Sequence, residues 1–150
     1  MKKNMFFAMV LCALPMVFSC GPSKSELAEK ERLDNIRVTD SIARDSAVIA
    51  FITDMYNSSK YETEQFVMQH CSEKLVNKLR SDYDYDGEGL AFWDFRSDEQ
   101  DGPNDEHRVT AVTPEGNGWY KYDFIDMGVK SSHRLLISGE PDNFIIEELE

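Results

Sequence analysis

Apolar positions recur at helical spacing in the first half of the chain and alternate with polar ones in the second half. After residue 44, apolar side chains at three- and four-residue spacing predict a helix that ends at 57–59. A shorter helix is predicted over Glu64–His70, and Ser72 has the residue type and position of an N-cap for a third helix. The side chains predicted to be buried by these helices are Val48, Ile49, Ile52, Met55, Tyr56, Phe66, Val67, Leu75, Val76 and Leu79.

The pattern changes to strands from residue 108 onward. Strands are predicted at 108–113, 119–125, 133–138 and 144–148, separated by turn clusters at 114–118, 126–128 and 139–142. Within 119–125, alternation places Tyr120, Tyr122 and Phe124 on one face and Trp119, Lys121, Asp123 and Ile125 on the other. Short connections favour an antiparallel meander of about four strands. Helices followed by strands make the predicted fold class α+β.

The first 43 residues have a different character. Lys2 and Lys3 precede an apolar run over 5–18 that is too short to span a membrane, and residues 1–19 are predicted to be a secretory signal peptide. Residues 20–43 are polar, and Ser23 with Glu26 forms the sequence pattern of a capping box. We interpret 20–43 as a partly helical tether and 44–150 as a single domain.

The segment Val17-Phe18-Ser19-Cys20 resembles the lipobox of bacterial lipoproteins. The resemblance implies that the Cys20 thiol receives a diacylglyceryl group, that cleavage precedes it, and that the new amine is acylated, for example by palmitate. The mature lipoprotein would then be held in the membrane through Cys20. Gly21, in place of an aspartate, implies the bacterial outer membrane. Whether the domain faces the periplasm or the outside of the cell stays open. An ordinary secretory signal with a coincidental cysteine is the alternative.

A second resemblance covers residues 44–150. Helices, then Ala91-Phe92-Trp93-Asp94-Phe95-Arg96, then Gly118-Trp119-Tyr120 and Asp126-Met127-Gly128 occur in that order. This arrangement resembles a domain of unknown function in small bacterial lipoproteins, similar to the nuclear transport factor 2-like or cystatin-like fold. The resemblance implies a bent sheet that forms a cone with a pocket. Proteins with this fold include enzymes, binding modules and dimerisation domains, so the fold leaves function open.

The chain is strongly acidic. It has 28 Asp and Glu against 16 Lys and Arg, a net charge of −12, and removing Lys2 and Lys3 with the leader makes this −14. Such a charge disfavours nucleic acid and anionic lipid surfaces as partners. It is compatible with cationic ligands, with metal ions or with solubility alone.

The three cysteines predict a domain without a disulfide. Cys12 would leave with the leader and Cys20 would carry lipid, so Cys71 has no partner within the chain. Its neighbour His70 raises the possibility of a catalytic thiol. Adjacent helical residues point about 100° apart, however, and this favours a buried structural cysteine.

Residues 82–87 match the first half of a calcium-binding loop, with acids at alternate positions and Gly87 at the turn. The match then fails, because Trp93 stands where the loop requires Glu and Asp94 comes one residue late. Alternatively, the segment is a solvated edge with its tyrosines on one face. The candidate calcium ligands are Asp82, Asp84, Asp86, Glu88 and Asp94.

Residues 82–106 contain ten acids and one base, Arg96. Such crowding raises carboxyl pKa values unless a cation or a basic side chain relieves it. His107, Arg108 and Arg134 are the candidate basic partners. The alternative is a mobile solvated loop over 98–107.

Aromatic residues in the second half, together with nearby polar groups, suggest a pocket. We favour the interpretation that these aromatics form the core of a domain without a disulfide. The candidate pocket residues are Trp93, Asp94, Arg96, Trp119, Tyr120, Tyr122, Asp123 and His133.

Function is less constrained than fold. The sequence has no nucleophile elbow, zinc-protease motif, P-loop or dinucleotide fingerprint. We therefore favour a non-enzymatic binding or accessory domain for a small ligand or an envelope protein. One alternative is an enzyme that uses Asp94 or Asp123 with His133 as general acid and base. The other is a calcium-stabilised surface module.

Overall fold

The structure is a computed structural model that describes residues 23–97 and 101–150. The chain divides into two compact units, residues 1–35 and 36–150. The predicted signal peptide and the lipid attachment at Cys20 lie outside the described residues. None of the helices in the described ranges is long and apolar enough to cross a membrane.

The first helix, α1, runs from Lys24 to Asn57. Its N-terminus has the predicted capping box, in which the Ser23 N–H donates to Glu26 Oε2 (2.6 Å) and the Glu26 N–H donates to Ser23 Oγ (3.3 Å). The helix continues through residue 44 because no glycine or proline interrupts it. After Asn57 the chain turns through Ser59, which has a φ of 48°.

Four short helices follow. They are a 3₁₀ turn at Lys60–Glu62, α2 at Glu64–His70, α3 at Glu73–Ser81 and a 3₁₀ turn at Phe92–Phe95. The side chain of Ser72 accepts the Leu75 N–H at 3.3 Å, which confirms the predicted N-cap of α3. The predicted bounds of α2 are also confirmed.

Strands β1 (Arg108–Gly116), β2 (Trp119–Asp126), β3 (Val129–Glu140) and β4 (Asn143–Leu149) form one antiparallel sheet in the order β1-β2-β3-β4. This confirms the α+β class and the four-stranded meander, which does not close into a barrel. The first hairpin turns more tightly than predicted, because Asn117 and Gly118 supply the positive φ values of a two-residue turn. Residues 114–116 therefore belong to β1 and pair with β2 across an irregularity in register.

The core lies between the helices and one face of the sheet. Tyr120, Tyr122 and Phe124 point into it, which confirms the predicted alternation of β2, and Ile125 is buried as well. The α1 helix meets the sheet where the Tyr120 hydroxyl donates to Asp45 Oδ1 (2.6 Å). Burial and this bond raise the pKa of Tyr120 to about 12. The core side chains from the helices include Val48, Ile52, Met55, Tyr56, Tyr61, Val67, Leu75 and Leu79.

Cys71 is a buried, unpaired cysteine with 7% of its surface exposed. It lies where α2 ends against β4, next to Ser72, whose N–H donates to the Ile146 carbonyl at 2.9 Å. The neighbouring His70 donates from Nδ1 to the Phe144 carbonyl at 2.9 Å. Burial raises the pKa of Cys71 to about 12, so the reactive thiolate is scarce at neutral pH. This agrees with the structural interpretation of Cys71.

Candidate functional site

The eight residues predicted to line a pocket lie in different surroundings. Tyr120 and Tyr122 are buried on the inner face of β2, whereas Trp119 and Asp123 lie partly exposed on its other face. The structure has surface clefts of about 700, 450 and 250 Å³. None of the eight side chains lines any of these clefts. A shared ligand pocket for these residues stays a prediction.

Most of these eight side chains contact other groups of the protein. The Tyr122 hydroxyl donates to the Phe95 carbonyl (3.0 Å), and His133 donates from Nε2 to the Arg96 carbonyl (2.8 Å). Asp123 pairs with Lys121 (2.7 Å). The alternative enzyme hypothesis requires His133 beside Asp94 or Asp123. In the described residues His133 instead contacts the rings of Tyr122 and Phe124.

Asp126, at the end of β2, is the centre of a buried polar network that the sequence analysis missed. Its carboxylate is 0% exposed. Arg96 donates to it from Nε (3.1 Å) and Nη2 (3.0 Å), and Ser97 donates from its backbone N–H (3.2 Å) and hydroxyl (3.0 Å). His107 adds a bond from Nδ1 at 3.2 Å. The network therefore ties the segments before and after 98–100 to the sheet.

The electrostatics of this network favour an ionised Asp126. Burial tends to raise a carboxyl pKa, but the hydrogen bonds from Arg96, His107 and Ser97 outweigh it and hold the pKa of Asp126 below its ordinary value. The other ring nitrogen of His107 donates to the Tyr56 carbonyl at 2.9 Å. Because both nitrogens face acceptors, both bonds form together only when each nitrogen carries a hydrogen. With its bonds satisfied internally, Asp126 has a structural role.

Stability should therefore depend on pH through Asp126. A carboxyl whose pKa is lowered by folding stabilises the native state above its unfolded pKa of about 3.9, and this stabilisation is lost as pH falls through the folded pKa. We expect the difference in unfolding free energy between the natural protein and Asp126→Asn to shrink as pH falls from about 5 toward 2. Urea titrations at several pH values measure it. A difference that stays constant over that range would contradict the assignment.

The acidic segment at 82–91 forms an irregular loop, not the extended edge considered as an alternative. Lys78 Nζ lies 2.6 Å from Asp82 and 2.7 Å from Asp94, so one lysine pairs with two of the five candidate calcium ligands and offsets half of their charge. Within 23–97 and 101–150, no group of three or more His, Cys, Asp or Glu side chains is arranged to hold a metal ion. Calcium binding stays a prediction.

Of the three basic residues proposed to relieve the acidic segment, one pairs with a carboxylate of that segment and two pair with carboxylates outside it. His107 contacts Asp126, and Arg108 contacts Glu106 at 2.8 Å. Arg134 instead pairs with Glu115 and Glu150, each at 2.7 Å. Part of the acidic charge is therefore neutralised locally, and the carboxylates near residues 84–88 are not included in these pairs.

The loop over 82–91 folds back on the end of α3 and builds a cleft there. The Ala91 N–H donates to the Leu79 carbonyl (2.9 Å), and Lys78 holds both ends of the loop through Asp82 and Asp94. Gly89 lies directly under the ring of Tyr83, where an added Cβ would come within 2.4 Å of a ring carbon. A side chain at this position would displace the Tyr83 ring, so the glycine allows the ring to pack against the loop.

This cleft is the largest of the three, about 700 Å³, a volume within the range of small-molecule sites. Its walls combine aromatic rings, charged side chains and glycine backbone. We call it the Tyr83 cleft. Its lining residues are Glu64, Arg80, Tyr83, Gly87, Glu88, Gly89, Leu90 and Phe92.

The three charged side chains of the Tyr83 cleft form no ion pair with any residue that the structure describes. Glu64 and Glu88 form no hydrogen bond or ion pair with any described side chain. Arg80 is contacted by Asn77 Oδ1 at 3.5 Å and by the Met68 sulfur at 3.8 Å, and it has no carboxylate partner in the described chain. The cleft therefore presents one positive and two negative groups that a ligand can still contact.

Exposed aromatic rings extend from the cleft wall. Tyr83 stacks on Trp93 and also contacts Tyr85, with ring centroids 5.7 Å apart in each pair. Trp93 is 40% exposed and Tyr85 is 66% exposed. Clustered exposed aromatics are characteristic of binding surfaces.

The sequence analysis identified only parts of this site. Glu88 was a candidate metal ligand, Trp93 a candidate pocket residue and Gly87 a turn residue, but Arg80 was not singled out. The available signal was Arg80 in the last turn of α3, directly before a segment rich in tyrosine and glycine. That pattern does not reveal that the loop and the arginine line the same cleft.

Comparison of the chain with protein-family models, with curated proteins and with solved structures gives no match.

Proposed function

We propose that this protein is a bacterial outer-membrane lipoprotein, anchored through Cys20, whose α+β domain is a non-enzymatic binding module. Membership of the nuclear transport factor 2-like group is part of the proposal, and the order of helices and meander strands supports it. The binding site is the Tyr83 cleft. The observation that carries this assignment is that Glu64, Arg80 and Glu88 line the cleft without an ion pair to any described residue.

An arginine without an ion pair is uncommon in this domain. Over residues 44–150, Arg44 and Lys130 are the other Lys and Arg residues that form no ion pair with a described residue. Arg80 lies on the surface of an acidic protein and would find a carboxylate readily if pairing were its role. Small-ligand sites place a few polar groups on a concave, partly aromatic surface, and the Tyr83 cleft has this composition.

The chemistry of the lining supports binding over catalysis. The described residues that line the Tyr83 cleft include no histidine, cysteine, serine or threonine, so a Ser–His or Cys–His type of nucleophile and base is absent among them. What remains is a pair of carboxylates, a guanidinium and aromatic rings. These groups hold and orient a ligand by charge and stacking.

Amide chemical-shift mapping tests this function. Benzoate and benzylamine share one ring and carry opposite charges, and we expect both at millimolar concentration to shift the amides of Arg80 and of residues 87–92. Replacement of Arg80 with Gln should weaken the response to benzoate about tenfold, because a charge-assisted hydrogen bond is lost. The control Arg108→Gln removes an exposed arginine outside the cleft and should leave the response unchanged.

Two results would exclude the Tyr83 cleft as the binding site. If neither probe moves the cleft amides, or if the shifts concentrate at the cleft beside His70, the Tyr83 cleft is not the binding site.

A further inference from the structure

The ligand class of the Tyr83 cleft can be narrowed on the basis of the proposed function. We infer that the cleft takes a zwitterion of the short-peptide type, with a free amino group, a free carboxylate and an apolar side chain. This inference rests on the proposed binding function and adds the chemistry of the ligand to it.

The mixed charge of the lining is the first argument. A ligand that is only anionic would gain Arg80 but would face Glu64 and Glu88. A ligand that is only cationic would gain the two carboxylates but would face Arg80. Because like charges placed together cost affinity and opposite charges gain it, a zwitterion is the class that satisfies both signs.

The wall of the cleft is the second argument. The Tyr83 ring is held from two sides, by the Gly89 backbone beneath it and by the stacked Trp93 ring at 5.7 Å. Leu90 and Phe92 continue the same lining. A ring that is already held in place loses little entropy on binding, so it suits an apolar side chain that packs against it.

The size of the cleft favours a peptide over a single amino acid. Its volume of about 700 Å³ lies in the upper part of the range for small-molecule sites, roughly 300–1,000 Å³. Charged groups at three lining positions also suit a ligand whose amino and carboxylate ends are separated by a body. A peptide with free termini has that form.

The test uses one dipeptide, alanylphenylalanine, in four forms with the same body. The forms have both termini free, the amino end acetylated, the carboxyl end amidated, or both ends blocked. Each is titrated into the intact isotope-labelled protein while the amides at residues 80 and 87–92 are followed. We expect the form with free termini to bind at least about tenfold more tightly than either singly blocked form, because each block removes one charge-assisted contact. The doubly blocked form should bind most weakly.

Two variants test which lining residues contact the amino end and which contact the carboxylate end of the dipeptide. In Arg80→Gln the preference for a free carboxylate over the amide should disappear, while the preference for a free amino group remains. In the double variant Glu64→Gln, Glu88→Gln the reverse is expected. The control Arg108→Gln should keep both preferences. All four substituted positions are exposed, and thermal melts confirm that each variant is folded.

Different results would overturn the zwitterion inference and the proposed binding function. If the blocked dipeptide binds at the cleft as tightly as the free one, or if benzoate and benzylamine bind there and no form of the dipeptide does, the zwitterion inference is overturned and the binding function stands. If none of these probes moves the cleft amides, both are overturned.

Discussion

Replacing Asp126 with Asn should lower the free energy of unfolding by about 3 kcal/mol, because the donors around this buried carboxylate lose a charged acceptor. The side chain keeps its shape but loses its charge, and the Arg96 guanidinium keeps only the more distant Glu62 carboxylate at 3.7 Å. The amide nitrogen would also point toward a donor, because Arg96, Ser97 and His107 all donate to this site. Urea denaturation at pH 7 measures the change, and a melting temperature roughly 10 °C lower should accompany it.

The matched control is Asp123→Asn on the same strand. Asp123 pairs with Lys121 through side chains that are both more than a third exposed, so its loss should change stability by no more than about 1 kcal/mol. Equal effects of the two substitutions would show that burial of the Asp126 network does not contribute as described.

Replacing Cys20 with Ser should move the protein from the membrane fraction to the soluble fraction. In the proposed lipoprotein the acyl chains supply the attachment, at about 0.8 kcal/mol per buried methylene, and serine has no thiol to receive them. The described helices offer no membrane span that would replace the lipid. Detergent phase partitioning of cells that express each form measures the change. We expect the natural protein in the detergent phase and Cys20→Ser in the aqueous phase.

Cys71→Ala provides the control, since it also removes a cysteine but leaves the proposed lipid site intact. It should partition like the natural protein. If Cys20→Ser stayed in the detergent phase, the lipid anchor would be wrong.

Local patterns predicted the secondary structure well because the signals that define it are local. Ser72 accepts a hydrogen bond from Leu75 only three residues away, and the Ser23 capping box has the same reach. The tight turn at Asn117 and Gly118 likewise depends on two residues with positive φ. The α+β class follows from the order of these elements, so it too was accessible from the sequence.

The Asp126 network could not be predicted from the sequence, because its members are distant along the chain. Arg96 is 30 residues from Asp126, and His107 is 19 residues away. In the sequence Asp126 stands before Met127 and Gly128, where a solvated turn is the ordinary expectation. Only the three-dimensional structure reveals that an acid at a strand end is fully buried.

The Tyr83 cleft could not be predicted from the sequence for a different reason. Alternation in β2 correctly predicted which aromatic rings share a face, but those rings became the core. The cleft is built by an irregular loop without a period, and it depends on the close approach of Gly89 to Tyr83. Composition indicated an acidic, aromatic segment there without revealing that it forms a cleft together with Arg80.

Crystals soaked with benzoate and, separately, with benzylamine test the central claim most directly, because they locate the ligand instead of inferring it. The account predicts electron density for both probes in the Tyr83 cleft, with the ring against Tyr83 and the benzoate carboxylate at Arg80. Density confined to the clefts beside His70 or Glu147, with none against Tyr83, would contradict it.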